Sequence, residues 1–119
     1  MKIVQLSVFL ENKKGRLSEV TSVLEKASVN IRALSLAETG DYGVLRLIVD
    51  APAKAVEALK KAEITVKQTD IIVVEVEDRP GGLNKVLDIF EELNINIEYM
   101  YAFVEKRGSN AAVVFRVDN

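Results

Sequence analysis

The sequence predicts an α+β protein that uses one structural unit twice, and three observations lead to that prediction. The segment that starts at Glu11 recurs 66 residues later at Glu77, with seven identical positions between residues 11 and 31. Polar and apolar residues alternate in the segment before Glu11, which indicates a strand, and the apolar run at residues 71–76 holds the same place before Glu77. Apolar residues recur at spacings of three and four after each point, which indicates a helix. A repeat of this length suits a small domain duplicated in tandem.

The first copy predicts a strand, a helix, two strands, a second helix and a last strand. The strands are expected at residues 3–10, 31–37, 44–49 and 64–67. The first helix carries Leu17 and Val20 on its apolar face, and the second starts at Pro52, whose fixed φ suits a first helical turn. A turn at residues 39–43 joins the two middle strands. The order βαββαβ is typical of a ferredoxin-like sandwich.

The second copy begins near Asp70 and predicts only the first four of these elements, βαββ. Its strands are expected at residues 71–76, 95–104 and 111–117, with a helix between the first two. We therefore predict one domain at residues 1–68 and a second, truncated domain at residues 69–119. The seam falls at Gln68 and Thr69. Because the second copy lacks its second helix, half of one apolar sheet face has no cover, and we expect a homodimer that buries it.

The composition excludes several classes of function. The chain has 16 basic and 18 acidic residues, a net charge of −2, and so lacks the basic surface that nucleic acids and anionic membranes attract. It contains no cysteine and no histidine, which excludes disulfides, thiolate zinc sites and catalytic imidazoles. The longest apolar run, residues 99–104, is far too short to span a membrane. We expect a cytoplasmic protein with no cofactor, no nucleic-acid partner and no membrane partner.

The loop between the first strand and the first helix is the strongest candidate for chemistry. Gly15 precedes the helix, whose first turn presents unpaired N–H groups and the positive end of the helix dipole to a small carboxylate. The amide of Asn12 accepts a hydrogen bond from an ammonium group and donates one to a carboxylate. Together these groups would hold both ends of a free amino acid. The alternative is structural: the glycine permits the turn, and Asn12, or Asp78 in the second copy, caps the helix.

These loops resemble those of a known family, the ACT domain. The resemblance rests on residues 12–17 followed by Asn30-Ile31, and on residues 78–83 followed by Asn96-Ile97. ACT domains are small βαββαβ regulatory modules attached to enzymes of amino-acid metabolism, and the chain is most similar to stand-alone tandem ACT proteins. The resemblance implies a non-catalytic module that binds an amino-acid effector near a domain or subunit interface. Its partner would be an enzyme of amino-acid metabolism.

The resemblance also implies which residues bind the effector. Those of the first copy are Asn12, Gly15, Leu17 and Asn30, and those of the second are Asp78, Gly81 and Asn96. Serine-sensing relatives carry a histidine two residues before the loop asparagine, where this chain has Leu10, which argues against serine as the effector. The carboxylate of Asp78 would repel a carboxylate ligand. We therefore expect the first copy to bind the effector and the second to bind it weakly or not at all.

Three other interpretations stay open. Asn30 and Asn96 would be polar residues that end a turn from helix to strand. The chain as a whole would be an assembly module that dimerises and binds no ligand. An acylphosphatase shares this outline and holds its anion with an arginine in the first loop, a role that Arg79 would take.

Overall fold

The computed structural model describes residues 2–118, which contain six strands and three helices. Their order and bounds are β1 Lys2–Glu11, α1 Arg16–Lys26, β2 Ile31–Thr39, β3 Tyr42–Val49, α2 Pro52–Lys61, β4 Thr65–Glu77, α3 Gly82–Glu92, β5 Ile97–Arg107 and β6 Asn110–Val117. The described residues form two compact units. Residues 4–69 are called the first unit, and residues 2–3 with 70–118 the second unit. The α+β prediction is confirmed.

The sheet registers of the two units follow the sequence repeat. In the first unit β3 pairs antiparallel with both β1 and β2, and in the second unit β6 pairs in the same way with β4 and β5. Leu6 lies opposite Leu47, and its counterpart Ile72 lies opposite Phe115. Ile31 opposes Val49 just as Ile97 opposes Val117, and a register irregularity follows at the same place in both units. The same pattern of side chains therefore specifies the same pairing twice.

The core of the first unit lies between its helices and one face of its sheet. The helices bury five side chains there: Val20 and Leu24 from α1, and Ala55, Val56 and Leu59 from α2. The sheet contributes Leu6, Val8, Leu45 and Leu47, which alternate with residues of the opposite face. Each fully buried side chain of this size stabilises the fold by about 1.5–3 kcal/mol.

The helix of the second unit is covered much less. Among the described residues of α3, only Gly82 is buried. Ile89 of this helix is 54% exposed, and Leu93, which directly follows the helix, is 63% exposed. Phe90 is half-buried and meets Phe115 edge to face, with ring centroids 5.1 Å apart. No counterpart of α2 lies between residues 70 and 118. An apolar helix face thus remains exposed in this unit.

Several element bounds differ from the predictions. β4 is one uninterrupted strand that continues past the expected end at residue 67, and the predicted seam at Gln68 and Thr69 lies within this strand, next to the division between the two units after residue 69. Neither glycine nor proline occurs between Thr65 and Glu77, and hence nothing in the local sequence breaks the strand. β5 starts at Ile97 and continues to Arg107, which leaves a tighter turn than the predicted one at residues 106–109. The side chains of Lys106 and Arg107 lie outside the described part.

Each of the three helices is followed, after its C-cap, by a residue in the left-handed conformation. Ser28, Glu63 and Asn94 have φ values of 57°, 60° and 56°, respectively. After α1, the N–H of Ser28 donates to the Glu25 carbonyl and that of Val29 to the Leu24 carbonyl, and the other two helix ends repeat both bonds. This is a Schellman motif built without glycine. No helix within residues 2–118 is long and apolar enough to cross a membrane.

Candidate ligand site at the loop between β1 and α1

Both strand-to-helix loops turn on a glycine. Gly15 and Gly81 have φ values of 89° and 86°, in the left-handed region that favours glycine, and each directly precedes its helix. The residue that caps each helix is the glycine itself, which has no side chain to bond to the first turn, and the side-chain N–H of Asn12 donates to the Gly40 carbonyl instead of to α1. In the first turn of α1, the N–H of Leu17 has no acceptor among the described residues. The helix start is therefore open to an anion.

Asn12 is held by the turn between β2 and β3. Its side-chain Nδ2 donates to the carbonyl of Gly40 at 2.9 Å, and its backbone N–H donates to the carbonyl of Asp41 at 2.8 Å. The backbone N–H of Asp78 makes the equivalent bond to the Ser109 carbonyl at 2.9 Å. A carboxylate has no N–H, so Asp78 lacks the side-chain donor that Asn12 uses. The asparagine ties the first loop to the neighbouring turn.

An ion pair braces each loop at its start. Lys13 Nζ lies 3.0 Å from Glu11 Oε2, and Arg79 Nε lies 2.9 Å from Glu77 Oε2 at the matching place. Glu77 also contacts Lys85 Nζ at 3.5 Å. The hydrogen bond from Lys13, followed by its charge, holds the pKa of the Glu11 carboxyl below its ordinary value. These pairs are exposed and add little stability, although they limit the conformations of the loop.

A groove of about 460 Å³ opens beside the first loop. It lies entirely within the first unit, between the end of β1, the start of α1 and the segment that joins α2 to β4. Its apolar lining includes Phe9, Leu10, Val20 and Ile64. Its charged lining is Glu11, Arg16, Glu19 and Glu63. Positively and negatively charged side chains therefore lie next to apolar ones in a single groove beside the start of α1.

Arg16 is the only basic residue in the described lining of this groove. It follows Gly15 directly and forms a 3.0 Å ion pair with Glu19 on the next turn of α1. Both side chains are close to half exposed, so the ion pair is weak and a ligand carboxylate can replace Glu19 as the partner of Arg16. A guanidinium at a helix start reinforces the anion preference of the N–H groups.

The second loop lacks these features. Gly82 takes the place of Arg16, and a Cβ at Gly82 would overlap the backbone carbonyl of Glu77. The depression beside this loop has a volume of about 440 Å³ and is lined by Asp78 and Arg79. The described part of the second unit has no counterpart of the segment after α2, which forms one wall of the groove in the first unit. Backbone packing therefore prevents an arginine at the helix start of the second unit.

Asn30 and Asn96 lie far from the loops of their own units. The backbone N–H of Asn30 donates to Asp50 Oδ1 at 3.0 Å, and the N–H of Asp50 returns a bond to the Asn30 carbonyl at 3.1 Å. Asn96 and Asp118 exchange the same two bonds at 3.1 Å each. Asn12 and Asn30 stand at opposite ends of β3, roughly 25 Å apart at the rise of an extended strand.

The structure thus brings together only part of the predicted site. Asn12, Gly15 and Leu17 share the first loop and the start of α1, whereas Asn30 is separated from them within the unit. None of these four residues is among those that line the groove, which adjoins the loop through Glu11 and Arg16. The sequence reasoning missed Arg16, although its position after Gly15 was a usable signal. It also missed Glu63, whose place at the groove depends on tertiary packing after α2. No cluster of three or more potential metal ligands occurs between residues 2 and 118.

Comparisons with known proteins agree with this architecture. The family model described as an ACT domain pair matches residues 1–119. A solved structure of protein BT0572 from Bacteroides thetaiotaomicron is 46% identical and superimposes with a TM-score of 0.93, covering 100% of this chain and 81% of that one. The regulatory subunit of aspartate kinase from Thermus thermophilus has the same fold, with a TM-score of 0.69 at 17% identity over 97% of this chain and 85% of that chain.

A curated relative matches nearly the whole chain. The acetolactate synthase small subunit of Haemophilus influenzae is 31% identical over 112 residues, which is 94% of this chain. The chain spans 61% of the length of that relative. The two similar loops, the repeated sheet register and the family match over all 119 residues lead to one conclusion. The chain belongs to the ACT domain pair family.

Proposed function

We propose that the chain is a non-catalytic regulatory module that binds a small free amino acid beside the first loop and acts on an enzyme of amino-acid metabolism. The groove at this loop is the observation that carries the proposal. It offers an arginine, carboxylates and apolar side chains at the open start of a helix. A zwitterion with a side chain requires this combination of groups.

The ligand carboxylate would bind at the start of α1. The free N–H of Leu17 and the guanidinium of Arg16 both favour a negative charge there. Gly15 leaves open space around its α carbon, so the backbone permits close approach. Asn12 fixes the loop through its bond to Gly40, and its amide oxygen would accept a hydrogen bond from the ligand.

The ammonium group and the side chain of the ligand would occupy the rest of the groove. Glu63 is exposed on the segment after α2 and has no ion-pair partner among the described residues. Its carboxylate suits an ammonium group. Phe9, Leu10 and Ile64 provide an apolar surface for the ligand side chain. A ligand would thus connect the start of α1 with the segment after α2.

We propose that the second unit binds the effector weakly or not at all. Asp78 replaces the loop asparagine and Gly82 replaces the arginine, so a carboxylate would meet a negative charge in the loop and no cation at the helix start itself. Arg79 does not take the position of Arg16, because it precedes Gly81 and corresponds to Lys13 of the first loop.

We further propose a homodimer as the acting form. Asn30 lies roughly 25 Å from the first loop along β3, and therefore reaches a ligand at that loop only from a second copy of the chain. The regulated enzyme is proposed from the relatives, whose names describe a small subunit of acetolactate synthase and a regulatory subunit of aspartate kinase.

Thermal unfolding with each of the common amino acids tests the proposal, because a ligand of the folded state raises the melting temperature by mass action. We expect at least one amino acid to stabilise the wild type, Arg16→Ala to lose that effect, and Arg79→Ala to retain it. A flat response at millimolar ligand in the wild type, or loss in Arg79→Ala alone, would contradict the proposal.

A ligand-free assembly module is the second candidate. The exposed apolar face of α3, with Ile89 and Leu93, favours it. This candidate predicts a stable dimer together with a flat amino-acid response. The acylphosphatase alternative predicts release of phosphate from an acyl phosphate, and Arg79→Ala would abolish that release.

A further inference from the structure

One side of α3 lacks the cover that its counterpart on α1 has. In the first unit α1 and α2 contact each other, and Val23 and Ala27 are partly buried against the core that both helices share. The repeat places Ile89 and Leu93 at these two positions, where they are 54% and 63% exposed. The units differ here in α2, which no helix replaces between residues 70 and 118. The second unit therefore exposes a helix side that a neighbouring helix covers in the first.

The exposed side chains are more apolar than their covered counterparts. Isoleucine stands in place of Val23, and leucine in place of Ala27. Val86 continues the same side toward the start of the helix, so that Val86, Ile89 and Leu93 recur at spacings of three and four. We call these three residues the α3 stripe. An apolar patch with a polar rim is typical of a protein–protein contact, and a bare helix side would instead carry polar residues.

Charges of opposite sign flank the α3 stripe along one edge. Lys85 and Glu92 are seven residues apart, which places them on the same edge about two turns from each other. Lys85 Nζ lies 3.5 Å from Glu77 Oε1, and Glu92 has no ion-pair partner among the described residues. Asp88 lies between them and accepts a hydrogen bond from Asn84 Nδ2 at 3.3 Å. The edge thus changes from positive to negative toward the end of the helix.

This edge complements a second copy of itself that runs in the opposite direction. In an antiparallel pair of helices, each edge lies beside the same edge of the other helix in reverse. Lys85 would therefore meet Glu92 of the partner subunit at both ends of the contact. A parallel pair would bring this edge beside the opposite one, whose Phe90 packs against Phe115 in the core of its own unit. Charge and packing both favour the antiparallel direction.

We propose that α3 packs antiparallel against α3 of a second copy of this chain, with the two α3 stripes in contact and two reciprocal ion pairs between Lys85 and Glu92. This interface rests on the homodimer of the proposed function and supplies its contact surface. The second copy gives α3 the kind of neighbour that α2 gives α1. Because both chains use the same surface, the contact closes with two chains.

Reversal of the two charges tests the interface, with the dissociation constant of the dimer measured by sedimentation. Lys85→Glu should weaken the dimer about tenfold or more, because two attractive contacts become repulsive. Adding Glu92→Lys to this variant should restore the constant to within about threefold of the wild type. Lys26→Glu, at the position that Glu92 holds in the repeat, should leave it unchanged. All three side chains are exposed, so the variants should fold.

A cysteine in the α3 stripe gives a second readout, because the chain contains none. Ile89→Cys should form a covalent dimer with a short bismaleimide. Leu36→Cys, which replaces a residue of the first unit that is also 54% exposed, should stay monomeric on a denaturing gel.

Four results would each overturn the interface: a monomeric wild type, a dimer that Lys85→Glu leaves intact, a double reversal that does not restore the dimer, or equal cross-linking of the two cysteines. Failure of the proposed effector site is measured separately, as a melting temperature of the wild type that no amino acid raises. The two failures are therefore distinguishable.

Discussion

Asn12 donates a 2.9 Å hydrogen bond from its side-chain amide to the backbone carbonyl of Gly40, which connects the first loop to the turn between β2 and β3. The residue that the family resemblance marks as a ligand contact is thus also a structural tie. Its two roles are compatible, because the bond uses one N–H and leaves the amide oxygen for a ligand. The effects of replacing Asn12 on ligand affinity and on stability must therefore be measured separately.

Replacing Asn12 by alanine should lower both stability and affinity. Loss of the bond to Gly40 should reduce the free energy of unfolding by about 1 kcal/mol, since the site is exposed and water replaces the lost donor. Loss of polar recognition should weaken amino-acid binding by about 1–3 kcal/mol, or one to two decades in Kd. Chemical denaturation and titration calorimetry give the two values.

Lys14→Ala is the control for this change, because Lys14 lies in the same loop with an exposed side chain and no ion pair among the described residues. It should change neither value measurably. If Asp78→Ala abolished binding while Asn12→Ala left it intact, the assignment of the site to the first unit would be reversed.

Replacing Gly82 by alanine should destabilise the second unit. The added Cβ would overlap the Glu77 carbonyl, which belongs to the backbone and cannot rotate away. Overpacking of this kind costs about 1–3 kcal/mol, measurable as a lower midpoint in denaturant. Gly43→Ala is the matched control, because its Cβ would meet ordinary contacts at 3.5 Å. Equal stability of the two variants would show that the backbone at Glu77 adjusts freely.

Replacing Glu63 by glycine should stabilise the chain. Glu63 has φ of 60°, a conformation that costs an ordinary side chain about 1–2 kcal/mol and glycine almost nothing. After the greater flexibility of glycine in the unfolded chain is deducted, a gain of about 0.5–1 kcal/mol remains. Asn94→Gly should gain less, because asparagine tolerates this conformation. A loss of stability in Glu63→Gly would show that the carboxylate makes a compensating interaction.

The pKa of Glu11 should rise when its partner is removed. Lys13 donates a hydrogen bond to the carboxylate and holds its pKa below the ordinary value, so Lys13→Met should return it toward that value. A group with a lowered folded-state pKa stabilises the fold above its unfolded pKa, and this contribution disappears as the pH falls through the folded pKa. Carboxyl chemical shifts followed through an acid titration measure the change, and Lys14→Met should not alter them.

The oligomeric state tests the role of the exposed α3 face. We expect light scattering at micromolar concentration to give twice the chain mass of 13.2 kDa, with Leu93→Asp shifting the chain toward the monomer. Leu36→Asp changes a leucine of the first unit that is 54% exposed and serves as control. Dissociation by Leu36→Asp alone would place the interface on the other unit, and a folded wild-type monomer would refute the dimer.

Much of the fold was predictable because the repeat displayed each pattern twice. The 66-residue offset aligned both loops, both first helices and both starts of the following strands, and the register of Leu6 with Leu47 recurs at Ile72 with Phe115. The end of the strand near residue 67 was not predictable in this way. A strand that continues through Gln68 has no local signal, since polar residues suit an exposed edge as well as a loop.

The parts of the candidate site that the sequence indicates are those that lie close together along the chain. Asn12, Gly15 and Leu17 lie within one loop and the helix that follows, and their proximity required no tertiary knowledge. Glu63 joins the groove through the packing of α2 on the sheet, which sequence spacing does not reveal. Asn30 and Asn12 are far apart because they lie beside opposite ends of β3. Residue types alone do not indicate how a strand runs between two such positions.

The most direct test of the central claim is the location of a bound amino acid. Titration of the full chain with the amino acid that raises its melting temperature, followed by amide chemical shifts, measures this location and the stoichiometry together. We predict one ligand per chain, with the largest shifts at Gly15, Leu17 and Ser18 at the start of α1. Shifts centred on residues 78–84 instead, or the absence of shifts with every common amino acid, would contradict the account.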